Sequence, residues 1–91
     1  MSAATRRRLR VHGLVQGVFF REMTRRAAES AGASGWVRNR LDGTVEAVVE
    51  GPPVAVDTVV DFCRTGPPGA RVDRIDVVEE PVEGIAGFTI R

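Results

Sequence analysis

Apolar residues in this chain recur at every second position, then at helical spacing, then twice more in alternation, then helically again and finally in alternation. Few architectures accept that order. Residues 7–15 alternate, with Leu9, Val11 and Gly13 on one side and Arg8, Arg10 and His12 on the other, which predicts a half-buried strand. Phe20, Met23, Ala27 and Ala31 fall at helical spacing and Gly32 is a natural stop, so a helix is expected over 21–32. Residues 35–40 and 44–50 read as strands joined by Leu41-Asp42-Gly43. A second helix starts at Pro52-Pro53, carries Val56, Val59, Val60 and Cys63 at i, i+3, i+4 and i+7, and ends at Gly66-Pro67-Pro68-Gly69. Residues 70–79 form a strand whose alternation slips near Asp73-Arg74, the mark of a bulge. A loop from Pro81 to Gly87 leads to a short closing strand, Phe88 to Arg91.

The order β-α-β-β-α-β implies one mainly antiparallel sheet covered on one face by two helices, with a short extra C-terminal strand. This is an α+β, ferredoxin-like sandwich. A single domain is expected over 7–91, preceded by a flexible tail at 1–6. The central hairpin has two possible registers. A two-residue Asp-Gly turn sets Asn39 opposite Glu46, whereas a three-residue loop with Gly43 in the left-handed position sets Arg38 opposite Glu46 and Val37 opposite Ala47. The second pairs opposite charges and gathers Val37, Val45, Ala47 and Val49 on one face, so it is preferred. It also turns Asn39 toward the helix layer.

Between the first strand and the first helix runs Gly13-Leu14-Val15-Gln16-Gly17-Val18-Phe19-Phe20-Arg21. A loop entering a helix N-terminus presents unpaired N–H groups and a partial positive charge, which makes it a natural anion cradle. Arg21 adds a planar fork of donors matched to phosphate oxygens. Further on come Gly35-Trp36-Val37-Arg38-Asn39, then Gly43-Thr44-Val45 and Gly51. Together these stretches closely resemble the two signatures of the acylphosphatase family, and the resemblance runs over nearly the whole chain to Phe88-Thr89-Ile90-Arg91.

The resemblance implies a hydrolase that cleaves the carboxyl-phosphate anhydride of small acyl phosphates, with water attacking phosphorus in line. It implies that Val15, Gln16, Gly17, Val18, Phe19 and Phe20 form the phosphate cradle, that Arg21 clamps the anion, and that Asn39 orients the attacking water. The departing carboxylate is the base of an acid with a pKa of about 4, so it leaves without a proton. No metal or cofactor is therefore expected, and inorganic phosphate should bind as product or inhibitor. Two departures stand out. Arg40 occupies a position where many members carry threonine, and the chain stops at Arg91 where many continue with an aromatic residue. The terminal carboxylate is expected to approach and orient Arg21.

The remaining residues read more plainly. His12 has no acid or second histidine near it in sequence, and Cys63, the only cysteine, reads as a small core residue that excludes an intrachain disulfide. Trp36 reads as a cover for the core near the hairpin, and Glu79, Glu80 and Glu83 as a solvated turn. A net charge of +1 argues against a nucleic-acid or membrane partner, and a cytoplasmic monomer is the expectation. The competing reading is a non-catalytic anion- or RNA-binding regulatory module on the same fold, although the expected strand positions lack the aromatics on which RNA bases stack.

Overall fold

Arginine and aliphatic residues alternate along the first strand, and that pattern decides which face of the sheet is dry. The computed structural model describes residues 3–91. In chain order these form β1 (Thr5–Leu14), α1 (Phe20–Ala31), β2 (Ser34–Asn39), β3 (Val45–Gly51), α2 (Pro53–Thr65), β4 (Arg71–Glu80) and β5 (Phe88–Ile90). The sheet runs β4-β1-β3-β2-β5, antiparallel throughout except for the parallel pair β2 and β5. Leu9, Val11, Val37, Val45, Ala47 and Val49 face the helices and meet Val56, Val59, Val60 and Cys63 of α2 in one core. This is the ferredoxin-like α+β sandwich expected from the sequence.

The hairpin takes the register that pairs Arg38 with Glu46 and Val37 with Ala47. Gly43 has φ 89°, a backbone state that glycine adopts without steric cost. Opposite β1, the ladder shifts between His12 and Gly13 so that Asp73 is the extra residue, which is the bulge read from the broken alternation.

Four expectations need correction. Thr5 and Arg6 are not part of a tail: both lie in β1, and Arg6 is only 4% exposed. Its guanidinium donates to Glu50 at 3.2 Å and Glu80 at 3.1 Å, partners too distant in sequence to be read from the local pattern. Residues 1 and 2 of the expected tail lie outside the described residues. The buried stripe of α1 is Phe20, Thr24 and Ala28, rotated from the expected one toward α2, where Thr24 meets Cys63. The Thr24 hydroxyl is satisfied by the Phe20 carbonyl at 2.8 Å. Trp36 is buried, but on the opposite face of the sheet from the helices, where Arg91, Arg38 and Arg8 lie within 4.6, 5.5 and 5.6 Å of its ring centre.

That second face is held by charge. Glu46, with a side chain 5% exposed, accepts from Arg8 at 2.7 Å, Arg38 at 2.8 Å and Arg40 at 3.0 Å. Glu50 accepts from Arg6 and from the backbone N–H groups of Glu83, Gly84 and Ile85, pinning the 81–87 loop that leads into β5. Glu80, expected in a solvated turn, pairs with Arg6 and Arg8 instead.

Burial alone would raise the Glu46 pKa, but the hydrogen bonds from Arg38, Arg8 and Arg40 outweigh it and hold the carboxyl at about 2, against an ordinary 4.5. A carboxyl depressed in this way adds stability above its unfolded pKa and loses it as pH falls toward the folded value. Glu46→Gln is expected to cost about 2–3 kcal/mol at pH 7 and to flatten the fall in stability between about pH 5 and pH 2. Urea midpoints of parent and variant across that range measure both effects.

Candidate active site

After Leu14 the chain leaves the sheet, bends through Gln16 to Phe19, and enters α1 at Phe20. Gly17 takes φ 75° and Phe19 φ 63°, so two left-handed residues coil the loop around its own N–H groups. Phe19 caps α1 without a side-chain hydrogen bond. The first helical N–H with a carbonyl partner is that of Met23, which donates to Phe19 O at 3.0 Å. Among the described residues, the N–H groups from Gly17 to Glu22 donate to no protein acceptor. They belong to the loop and first turn of α1, where the helix dipole is positive.

Beside this loop lies a cleft of ≈ 380 Å³. Val15, Gly17, Phe19, Phe20 and Arg21 line it from the loop and α1, Asn39 from the end of β2, and Ile90 from β5. Arg21 and Asn39 thus share one cavity although 18 residues separate them in sequence, because β2 carries Asn39 on the same face as Val37. Two of the expected cradle residues, Gln16 and Val18, do not line the cleft. Val18 packs against the core from the loop.

Gln16 has a different task. Its side-chain amide donates to Arg40 O at 2.7 Å and Thr44 O at 3.0 Å. The hairpin turn is also closed by Arg40 N–H to Thr44 O at 2.9 Å. Gln16 therefore ties the loop to the turn that follows Asn39 and sets the distance between the two halves of the cleft. Gln16→Ala is expected to lower kcat/KM by ~10- to 100-fold, since small misplacements of reacting groups are costly. Steady-state kinetics, with a thermal melt to show an intact fold, would check this.

The charge state of the cleft follows from its neighbours. Among the described residues, every arginine except Arg21 and Arg91 has a carboxylate oxygen within 4.0 Å. Arg91 stacks on Trp36, which leaves Arg21 as the one guanidinium with neither an acid nor a ring. The expected approach of the terminal carboxylate does not occur: no ion pair joins it to Arg21. The chain instead stays paired with β2 just past β5, with Arg91 N–H donating to Val37 O at 2.8 Å. Arg40 is drawn onto Glu46.

Glu22 and Ile90 are cleft residues that the sequence reading missed. A carboxylate beside an anion site would repel its ligand, but Glu22 is paired with Arg25 and Arg26, and the Arg25 hydrogen bond keeps its pKa low. Its position next to Arg21 was the available signal. Ile90 lies far along the chain and reaches the cleft only because β5 pairs in parallel with β2.

The other candidate groups take structural roles. Burial pushes the Cys63 thiol up to about 12, so it is not a thiolate nucleophile. His12 finds an acid across the ladder, with its Nε2 2.9 Å from Asp76. Trp36 is only 6% exposed beneath its arginines, so the open sheet face offers no free aromatic ring for a base to stack on. No helix among the described residues is long and apolar enough to cross a membrane.

A family model described as Acylphosphatase matches residues 7–90. A protein named Acylphosphatase from Gloeobacter violaceus is 51% identical over 99% of this chain and 97% of its own length. One of the same name from Rubrobacter xylanophilus is 56% identical over 99% of this chain and 84% of its own. Among solved structures, an acylphosphatase from Coxiella burnetii superposes with a TM-score of 0.92 at 38% identity, covering 97% of this chain and 93% of that one.

Proposed function

Since the chain belongs to the acylphosphatase family, we propose that the cleft between the loop and β2 is where it hydrolyses acyl phosphates, without a metal. The enzyme cleaves the carboxyl-phosphate anhydride to a carboxylate and inorganic phosphate. The observation that carries the site assignment is the uncompensated Arg21 guanidinium, set beside free N–H groups in the cavity that also holds Asn39.

In this reading the phosphoryl group lies among the N–H groups of Gly17 and of Phe19 to Arg21, and the guanidinium spans two of its oxygens. Phosphoryl transfer spreads charge over the equatorial oxygens, and these donors meet that charge without reorganising. The Asn39 carboxamide holds a water on the far side of phosphorus. As the water oxygen bonds to phosphorus, the anhydride P–O bond breaks and its electron pair leaves with the carboxylate. The water's proton passes to a phosphoryl oxygen, because an amide is too weak a base to take it and Glu22 is held ionised by Arg25 and Arg26.

Small carboxyl phosphates such as acetyl phosphate and carbamoyl phosphate fit the reaction, and inorganic phosphate is a competitive inhibitor. The cleft is built from one chain, so a monomer suffices, and we place it in the cytoplasm. Hydrolysis of benzoyl phosphate in excess chelator tests the reading. Turnover at an undiminished rate is expected. An inactive parent, or one that needs an added divalent cation, would overturn it.

A further inference from the structure

Both sequence neighbours of Asn39 are tied to one buried carboxylate on the side of the sheet away from the cleft. Asn39 is the last residue of β2 and shares the helix-facing side of the sheet with Val37. Arg38 and Arg40 leave the chain on either side of it and reach the opposite face. There Glu46 Oε1 accepts from Arg38 at 2.8 Å and from Arg40 at 3.0 Å, while Oε2 accepts from Arg8 at 2.7 Å. Arg38 is also the ladder partner of Glu46, so the carboxylate sits one strand away from the cleft residue.

Core packing alone does not call for a charge at this place. Val48, two residues along β3 on the same face, is fully buried, so an apolar side chain packs at the centre of this face. A buried ion cluster rarely stabilises a fold more than apolar packing does, but breaking any one of its contacts strands a charge, so it holds a geometry tightly. The end of β2 needs that hold. The Asn39 side chain makes no hydrogen bond to another described residue, so its aim depends on the backbone that carries it. A twist of β2 at Asn39 would draw Arg38 and Arg40 off their shared oxygen. Arg38 is further held over the Trp36 ring, at 5.5 Å from its centre. Arg40 keeps its contact although its own Nε is buried without a partner, a cost that the bond to Glu46 offsets.

We propose that Glu46 is a positioning residue for the reaction: through Arg38 and Arg40 it fixes the direction in which β2 presents the Asn39 carboxamide to the attacking water. This rests on the reading that Asn39 orients that water. Glu46 does not line the cleft, so its loss spares the anion site and slows the chemical step. Misplacing a reacting group by about 1 Å costs ~10²-fold in rate, and the partial release of Asn39 is expected to cost ~10-fold in kcat.

The test is a double-mutant cycle on benzoyl phosphate hydrolysis, run at a temperature where thermal melts show every variant folded. Glu46→Gln keeps one acceptor oxygen where the carboxylate has two. It is expected to lower kcat by ~10-fold, with inhibition by inorganic phosphate near the parent value. In the Asn39→Ala background the same substitution changes kcat by less than ~2-fold, because the group it positions is gone. Glu80→Gln also takes a carboxylate from Arg8 on the same face, yet leaves kcat unchanged. Arg40→Met gives the same cycle as Glu46→Gln and replaces it should that variant not fold, whereas Arg40→Lys, still able to bring a charge to Glu46, retains most of the parent kcat. A parent-like kcat in Glu46→Gln, or an equal fall with and without Asn39, would overturn the positioning role while leaving the hydrolase reading in place. An inactive parent, or an Asn39→Ala enzyme of undiminished kcat, would overturn the reading beneath it.

Discussion

Arg21→Ala is expected to lower kcat/KM for benzoyl phosphate by at least ~10³-fold while leaving thermal stability essentially unchanged. Both halves of that result follow from the same observation. The other arginines are held by carboxylates or by Trp36, so removing one of them strands a partner. Arg21 strands nothing, because it is exposed and has no acid within reach among the described residues. Its loss is felt only when a phosphoryl group arrives. One preorganised donor is worth about 10² to 10³ in rate, and Arg21 supplies two donors in a fixed plane together with a full charge. Arg21→Lys restores the charge without the fork and should recover only a small part of the activity. Steady-state kinetics and a thermal melt on the same samples decide it. A variant that loses stability along with activity would point to a structural arginine.

Asn39→Ala is expected to divide the kinetic parameters differently, with kcat falling by ~10²- to 10³-fold while inhibition by inorganic phosphate stays near the parent value. Asn39 closes the β2 ladder opposite Val45 through its backbone, which alanine preserves. Its side chain lines the cleft and has no hydrogen-bond partner among the described residues. If it orients water rather than holding the anion, its removal slows the chemical step and spares phosphate affinity. Asn39→Asp should do worse than alanine on affinity, since it places a carboxylate in the cleft proposed to bind the anion. An Asn39→Ala enzyme with normal kcat and a raised KM would reassign this residue to binding.

The parts of the molecule legible in the sequence were those decided by neighbours in the chain. The hairpin register could be read because Arg38 and Glu46 attract across it and Gly43 permits the turn. The bulge at Asp73 could be read because one extra residue reverses the alternation. The loop and Arg21 were visible because a glycine-punctuated run enters a helix. Other features depend on partners that arrive from a distance. Arg6 belongs to the sheet because Glu50 and Glu80 come to meet it. Trp36, which alternation puts on the charged face opposite Val37, is buried there because Arg91 covers it from far along the chain. The side-chain role of Gln16 depends on two carbonyls of the hairpin turn. The left-handed state of Phe19 has no local signature.

A titration of the protein with inorganic phosphate, followed through its backbone amide resonances, bears most directly on whether the loop and Arg21 grip a single tetrahedral anion. Large saturable shifts are expected at the amides of Gly17 to Arg21, a smaller one at the Asn39 side chain, and a sharp loss of affinity in Arg21→Ala. Phosphate that left those amides unmoved, or bound Arg21→Ala as tightly as the parent, would contradict the account.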